Sequence, residues 1–201
     1  MIKIIVFNNF SLYIQQIRTP NSAKMKSFRR LQFLLSLIFS LIILQCFGQQ
    51  LNLVDSGKIK LKQAAFEIIK STRYCALITL DKEGHPIART MDPFFPDSNF
   101  VVWLGTNIKT RKVQEIRKNS SVCLYYSDPP TGYVMIQGIA HLVNDENEKN
   151  KRWKEEWKAF YKNRSTDYLL LKVIPMRLEV VNYKLGIAGD PVTWDVPFIK
   201  F

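Results

Sequence analysis

Histidine is almost missing from this chain. Only His85 and His141 occur among 201 residues, and neither has a second His or a Cys at ligand spacing, so no metal centre is signalled. Each reads as an ordinary surface or half-buried residue. Cysteine is nearly as scarce. Cys46, Cys75 and Cys123 form no CxxC pair, which excludes a disulfide-stapled scaffold. Cys75 and Cys123 sit in apolar runs and suit small buried hydrophobes, with a disulfide between them left open should the chain be exported. Acidic side chains are absent from residues 1–48, which carry six basic ones, so that stretch holds half of the +12 net charge. The remainder is a modestly basic domain that suits a phosphate-bearing ligand as well as nucleic acid. Its aromatics are not interleaved with Lys and Arg as a strand-binding surface requires, so nucleic acid is not expected as a partner. The neighbouring carboxylates Glu155 and Glu156 read as a solvated helix face, and no side chain stands out as a general acid or base.

What the first 48 residues do have is an address. Lys26 to Arg30 is basic, and Leu31 to Phe47 is apolar apart from Gln32, Ser36, Ser40, Gln45 and Cys46. Gly48 then closes the run before a polar stretch. This is the layout of a secretory signal peptide, with cleavage expected after Gly48 and residues 49–201 as the mature domain. An uncleaved anchor is the alternative, disfavoured by the short run and its two Gln. A lipid anchor at Cys46 fits less well, because Gln45 is bulky where a small residue belongs. Met25 is a candidate true start. Arg29-Arg30 before Phe33-Leu34 loosely matches a twin-arginine export signal.

In the mature domain, Leu61, Ala64, Ala65, Ile68 and Ile69 fall at helical spacing and predict an amphipathic helix over 56–70. Strands are expected at 74–80, 86–92, 99–104, 122–127, 133–143 and 168–183. Gly84 serves the first turn, and Pro175 forces a bulge or edge position in the last strand. Short and long helices are expected at 110–118 and 147–161, the latter with Trp153, Trp157 and Phe160 on one core-facing side. The tail, with Gly186, Gly189, Pro191 and Pro197, reads mostly as loop. The fold class is mainly β (α+β): six antiparallel strands in meander order, closed as a small split barrel with flanking helices.

The stretch GTNIKTRKVQEI, Gly105 to Ile116, follows a strand and opens a helix. Arg111 and Lys112 sit in that helix's first turn, where cations oppose the helix dipole. An arriving anion would explain them: free N–H groups, an Arg fork and a Lys point charge make a phosphate cradle. Arg89, sharing a strand face with Met91, can add a third cation. A solvated basic helix end is the other reading, since Lys109, Arg117 and Lys118 lie close by.

These blocks, in this order, resemble the pyridoxamine 5'-phosphate oxidase-like FMN-binding split-barrel family, over roughly residues 58–182. The general stress protein branch is nearest in pattern. The resemblance rests on Ala88-Arg89-Thr90-Met91, on Thr106, Thr110, Arg111 and Lys112, on Gly138, and on the Trp-rich segment before Asp167-Tyr168-Leu169-Leu170, Val173 and Pro175. It implies FMN as cofactor, with Arg89, Arg111 and Lys112 on its phosphate. Thr90, Met91, Thr106 and Asn107 would lie along the ribityl chain and ring, with Thr110 in the same segment. It also implies a homodimer with flavin at the interface, where the partner's Tyr133–Gly138 strand or the tail around Trp194 covers the ring. Trp194 as a tail anchor in a groove is the other use. True pyridoxamine phosphate oxidases have a Lys where Phe94 stands and an Arg-x-His near the carboxyl end, both missing here. Tyr133 replaces a glutamine that contacts flavin. The implied protein is therefore an exported FMN-dependent oxidoreductase that is not a pyridoxamine phosphate oxidase. The alternative is a non-catalytic flavin- or haem-binding stress protein.

Overall fold

The computed structural model describes residues 33–40 and 56–201. The basic cluster before the apolar run, Cys46 and the expected cleavage point after Gly48 lie outside the described residues. Residues 33–40 are helical (α1) and expose Phe33, Leu34, Leu35, Leu37, Ile38 and Phe39. Among the described residues no helix is long and apolar enough to cross a membrane. Residues 56–201 form a separate unit.

That unit opens with helix α2, residues 56–71. Its apolar stripe is inserted as the spacing predicts: Ala64, Ala65, Ile68 and Ile69 are buried and Leu61 packs beside them. The strands follow as β1 (Cys75–Leu80), β2 (Pro86–Met91), β3 (Val102–Asn107), β4 (Ser121–Asp128), β5 (Gly132–Val143), β6 (Tyr168–Asn182) and β7 (Phe198–Lys200). All pairings are antiparallel, in the order β2-β1-β4-β5-β6-β3, with β7 on β6. The six long strands curl into a half-barrel with helices on its flanks. Alternating burial along β1, β3 and β5 aims Leu77, Leu104 and Ile136 inward, where they are fully buried with Leu124, Leu171 and Leu178.

The order corrects the expected meander. β3 crosses the molecule to pair with β6 instead of lying beside β2. The two ends of the sheet then meet through one bridge, Pro93 to Leu104, supported by Phe94 N–H donating to Trp103 O at 2.8 Å. That meeting is the split of the barrel. β3 also lies three residues later than expected, because Asp97 uses its side chain to hold the Asn99 and Val101 amides in a loop. β7 occurs in the tail that read as loop, pairing Ile199 with Leu178.

The glycine and proline signals take their expected places. Gly84 has φ 88° in the β1–β2 turn. At the β5–β6 pair, Gly138 faces Pro175 while Gln137 faces Arg177, so Met176 is the extra residue of a bulge. A Cβ on Gly138 would stand 2.3 Å from Ile174 O, so only glycine allows that close approach.

The expected long helix at 147–161 breaks. One helix (α4) covers only Glu146–Lys151, a short 3-10 turn spans Glu155–Ala159, and α5 covers Arg164–Asp167. Side-chain packing overrides helical spacing. The Arg152 guanidinium lies 3.7 Å over the Trp103 ring, and its carbonyl accepts the Tyr168 hydroxyl. Trp153, Trp157, Tyr161 and Tyr168 then pack edge-on and tilted as one aromatic cluster.

Candidate functional site

A cleft of about 640 Å³ occupies the split between the β2 end and the β3 end. β2 contributes Thr90 and Met91, with Asp92 following. β3 contributes Gly105, Thr106 and Asn107, and Thr110 and Lys112 come from the start of helix α3 (Arg111–Lys118). The two strand ends flank the Pro93–Leu104 bridge, which joins the segment just after β2 to the middle of β3, next to Gly105.

One end of the cleft is cationic. Helix α3 has no acid in its first turn, and its N-cap residue Thr110 makes no side-chain cap. The Thr110 hydroxyl donates instead to Asn107 O at 2.8 Å and touches the Thr106 hydroxyl at 3.2 Å. The first-turn amides are thus left without the usual side-chain acceptor. Lys112 is half-buried, and its Nζ donates to Thr106 Oγ1 at 3.2 Å. Among the described residues it has no carboxylate within ion-pair distance. Burial pushes its pKa down, and Arg89 nearby pushes the same way, against a weaker pull from Glu115.

Arg89 and Arg111 do not line the cleft. Both turn to Glu115, one helical turn beyond Arg111. Arg89 Nη2 lies 2.8 Å from Glu115 Oε2, and Arg111 Nε lies 2.9 Å from Oε1. Thr79 closes a ring: it accepts from Arg89 Nη1 at 2.6 Å and donates to Glu115 Oε2 at 2.5 Å. Burial raises the Glu115 pKa, but the Thr79 hydrogen bond and the two guanidiniums outweigh it and hold the carboxyl below its ordinary range.

The other end is aromatic, built by Tyr74, Trp157, Phe160 and Tyr161. Gly105 makes the wall possible, since a Cβ there would fall 2.5 Å from Trp157 Cζ3 and 2.7 Å from Tyr168 Cε2. Asp92 anchors the wall, accepting from Lys154 Nζ at 2.7 Å and from Trp157 Nε1 at 3.2 Å. Phe94 packs edge-on against Trp157, centroids 5.5 Å apart. Arg73 reaches Glu156 at 3.6 Å across the rim.

Of the eight expected cofactor residues, the structure therefore gathers Thr90, Met91, Thr106, Asn107, Thr110 and Lys112 in one cleft. It sets Arg89 and Arg111 behind it on a shared carboxylate. Trp157 joins the core cluster as expected and also lines the cleft, while Phe160 is 75% exposed instead of core-facing. Trp194 is 80% exposed, so it anchors no groove among the described residues. Glu115, Thr79, Arg73, Tyr74, Asp92 and Gly105 were not legible as site residues. Only Glu115 carried a signal, an acid four residues after Arg111 on a helix.

The arrangement suits binding better than proton chemistry. Burial holds the Tyr161 hydroxyl proton on, at a pKa of about 12, and Asp92 is committed to Lys154 and Trp157. Cys75 and Cys123 are separate thiols pushed up to about 12 and about 11 by burial, hence poor nucleophiles. His85 and His141 are both exposed and lie away from the cleft. The site offers a cationic end and an aromatic end.

Known proteins agree with this architecture. A protein related to general stress protein 26 from Clostridium acetobutylicum superposes with a TM-score of 0.59 at 21% identity, covering 71% of this chain and 95% of that one. General stress protein 26 from Bacillus anthracis gives 0.56 at 24% identity, over 70% and 98% of the two chains. A heme binding protein from Mycobacterium smegmatis gives 0.52 at 15%, over 70% and 57%. At these identities the likeness is one of fold. No curated protein matches the sequence. The sequence profile described as "Pyridoxamine 5'-phosphate oxidase like" matches residues 61–182, and with more than half its length matched, the chain belongs to the pyridoxamine 5'-phosphate oxidase-like family.

Proposed function

We propose that the cleft holds FMN and that the protein is an exported flavin-dependent oxidoreductase working as a homodimer. One observation carries the reading: Lys112, a half-buried ammonium with no carboxylate partner among the described residues, stands at a helix start that has no side-chain cap. Even a half-buried cation without a counter-ion gains when a ligand brings one. A phosphate with a flat ring attached is the ligand that matches both ends of the cleft.

On this reading Lys112 and the first-turn amides of α3 take the phosphate. Thr106, Thr110 and Asn107 face the ribityl hydroxyls, and Thr90, Met91 and the Trp157 wall face the ring. Bound FMN supplies reversible hydride and single-electron transfer, while the chain binds, orients and shields it. The outer sheet face leaves Tyr125, Ile174, Met176 and Phe198 exposed, which supports a second copy packing there with its flavin at the interface. Phe94 makes this part of the wall apolar, where pyridoxamine phosphate oxidases carry a Lys for substrate phosphate. The substrate is accordingly not pyridoxamine phosphate.

Adding FMN to the purified protein should quench flavin fluorescence and shift the visible bands. A reduced nicotinamide should bleach them and air should restore them. Unchanged fluorescence overturns the flavin reading. Binding without bleaching makes the protein a flavin carrier and removes the oxidoreductase.

A further inference from the structure

We infer that Glu115 is a resident counter-anion of the phosphate end: it holds Arg89 and Arg111 while the site is empty and yields Arg111 to an incoming phosphate. This rests on the phosphate end of the cleft proposed above. It concerns a residue that no part of that reading uses.

Three observations carry it. The Glu115 side chain is only 5% exposed, yet it is met by two guanidiniums at 2.8 and 2.9 Å. A buried carboxylate shared by two arginines at the back of an anion cleft neutralises charge where a ligand anion is expected. Secondly, the pairing is incomplete. Oε1 is buried and accepts no hydrogen bond, although Arg111 Nε lies beside it. The contact is Coulombic without hydrogen-bond geometry, so Arg111 has more to gain from a phosphate, which its planar fork can meet through two parallel N–H donors. Thirdly, exposure and partners differ between the two arginines. Arg89 is 18% exposed and also bonded to Thr79, whereas Arg111 is 71% exposed with Glu115 as its ion-pair partner, so solvent leaves room for its guanidinium to turn.

The charges balance on this account. Arg89, Arg111 and Lys112 against Glu115 leave a net +2. A phosphomonoester brings about −1.5 to −2 at neutral pH. Without the carboxylate, the empty site would hold three crowded cations, the half-buried Arg89 among them left without its counter-ion, which is destabilising. With it, the empty protein is stable and the phosphate binds less tightly than three free cations would allow.

Glutamine in place of Glu115 keeps one acceptor oxygen for Arg89 and Thr79, removes the charge and puts an NH2 donor in place of the oxygen that faces Arg111. The full-length Glu115→Gln protein should bind inorganic phosphate and FMN about tenfold more tightly than wild type at low ionic strength. The gain should shrink as salt screens it, and the ratio of FMN to riboflavin affinity should rise. Without ligand, the variant should melt lower than wild type. Glu115→Ala, which also removes the acceptor, should lose the gain. Phosphate binding that is unchanged or weaker in Glu115→Gln overturns the inference, as does a failure of phosphate to bind either protein. FMN failing to bind wild type while phosphate shows the expected pattern overturns the flavin reading and leaves this one standing. Should the variant not fold, the Arg111 Nε–H signal of wild type, assigned by its loss in Arg111→Lys, decides. It should move on adding phosphate, and an unmoved signal contradicts the exchange.

Discussion

Lys112 works against the fold that holds it. Its pKa lies below that of a free lysine because burial and Arg89 disfavour its charge. The sign follows from linkage: a depressed base is unfavourable in the native state at every pH below its unfolded value, and the penalty disappears only as pH rises past that value. Lys112→Met, which keeps the stem and removes the charge, should therefore raise the melting temperature of the ligand-free protein by about 1–3 °C. The same variant should lose most FMN affinity, a trade of function for stability. Glu115 behaves oppositely. Its carboxyl sits below the ordinary 4.5, so it stabilises the native state fully above about that pH and ceases to as pH falls through the lower native value. In acid titrations followed by circular dichroism, wild type should lose stability below pH 4.5 more steeply than Glu115→Gln.

Among the elements, the contact of β3 with the aromatic segment decides the shape of the cleft. Gly105→Ala pushes a methyl into the Trp157 and Tyr168 rings, neither of which can give way as a flexible chain end would. The expected outcome is a loss of about 1–3 kcal/mol by chemical denaturation, a changed tryptophan emission and weaker flavin binding. The sequence showed the elements built on local rules. Helix α2 was visible in its spacing, the β1–β2 turn in Gly84, the β6 bulge in Pro175, and the start of α3 in the stretch that carries Arg111 and Lys112. It did not show what long-range contacts impose. The β3–β6 pairing joins residues far apart in the chain. The helix expected through 147–161 is broken by Arg152 on Trp103 and Tyr168 on the Arg152 carbonyl. The turn of Arg89 toward Glu115 depends on β1, β2 and α3 meeting, which no local pattern announces.

For the whole molecule, the proposal joins an export signal, a dimer and a cofactor. Mature protein recovered from the exporting cell should begin at Gln49, as mass spectrometry would show. An intact amino terminus in a membrane fraction would favour the anchored form. Light scattering should report a dimer. Met176→Glu, placing a charge on the exposed bulge of the outer sheet face, should shift it toward monomer with little loss of monomer stability.

The most direct test is a paired titration of the purified protein with FMN and with riboflavin, for wild type and for Lys112→Ala. The flavin account predicts that wild type binds FMN at least about a hundredfold more tightly than riboflavin, because the phosphate supplies the charge-assisted contacts. In Lys112→Ala, FMN affinity should fall toward that of riboflavin. Equal affinities in wild type, or an FMN affinity indifferent to Lys112, would contradict the phosphate cradle on which the proposed function stands.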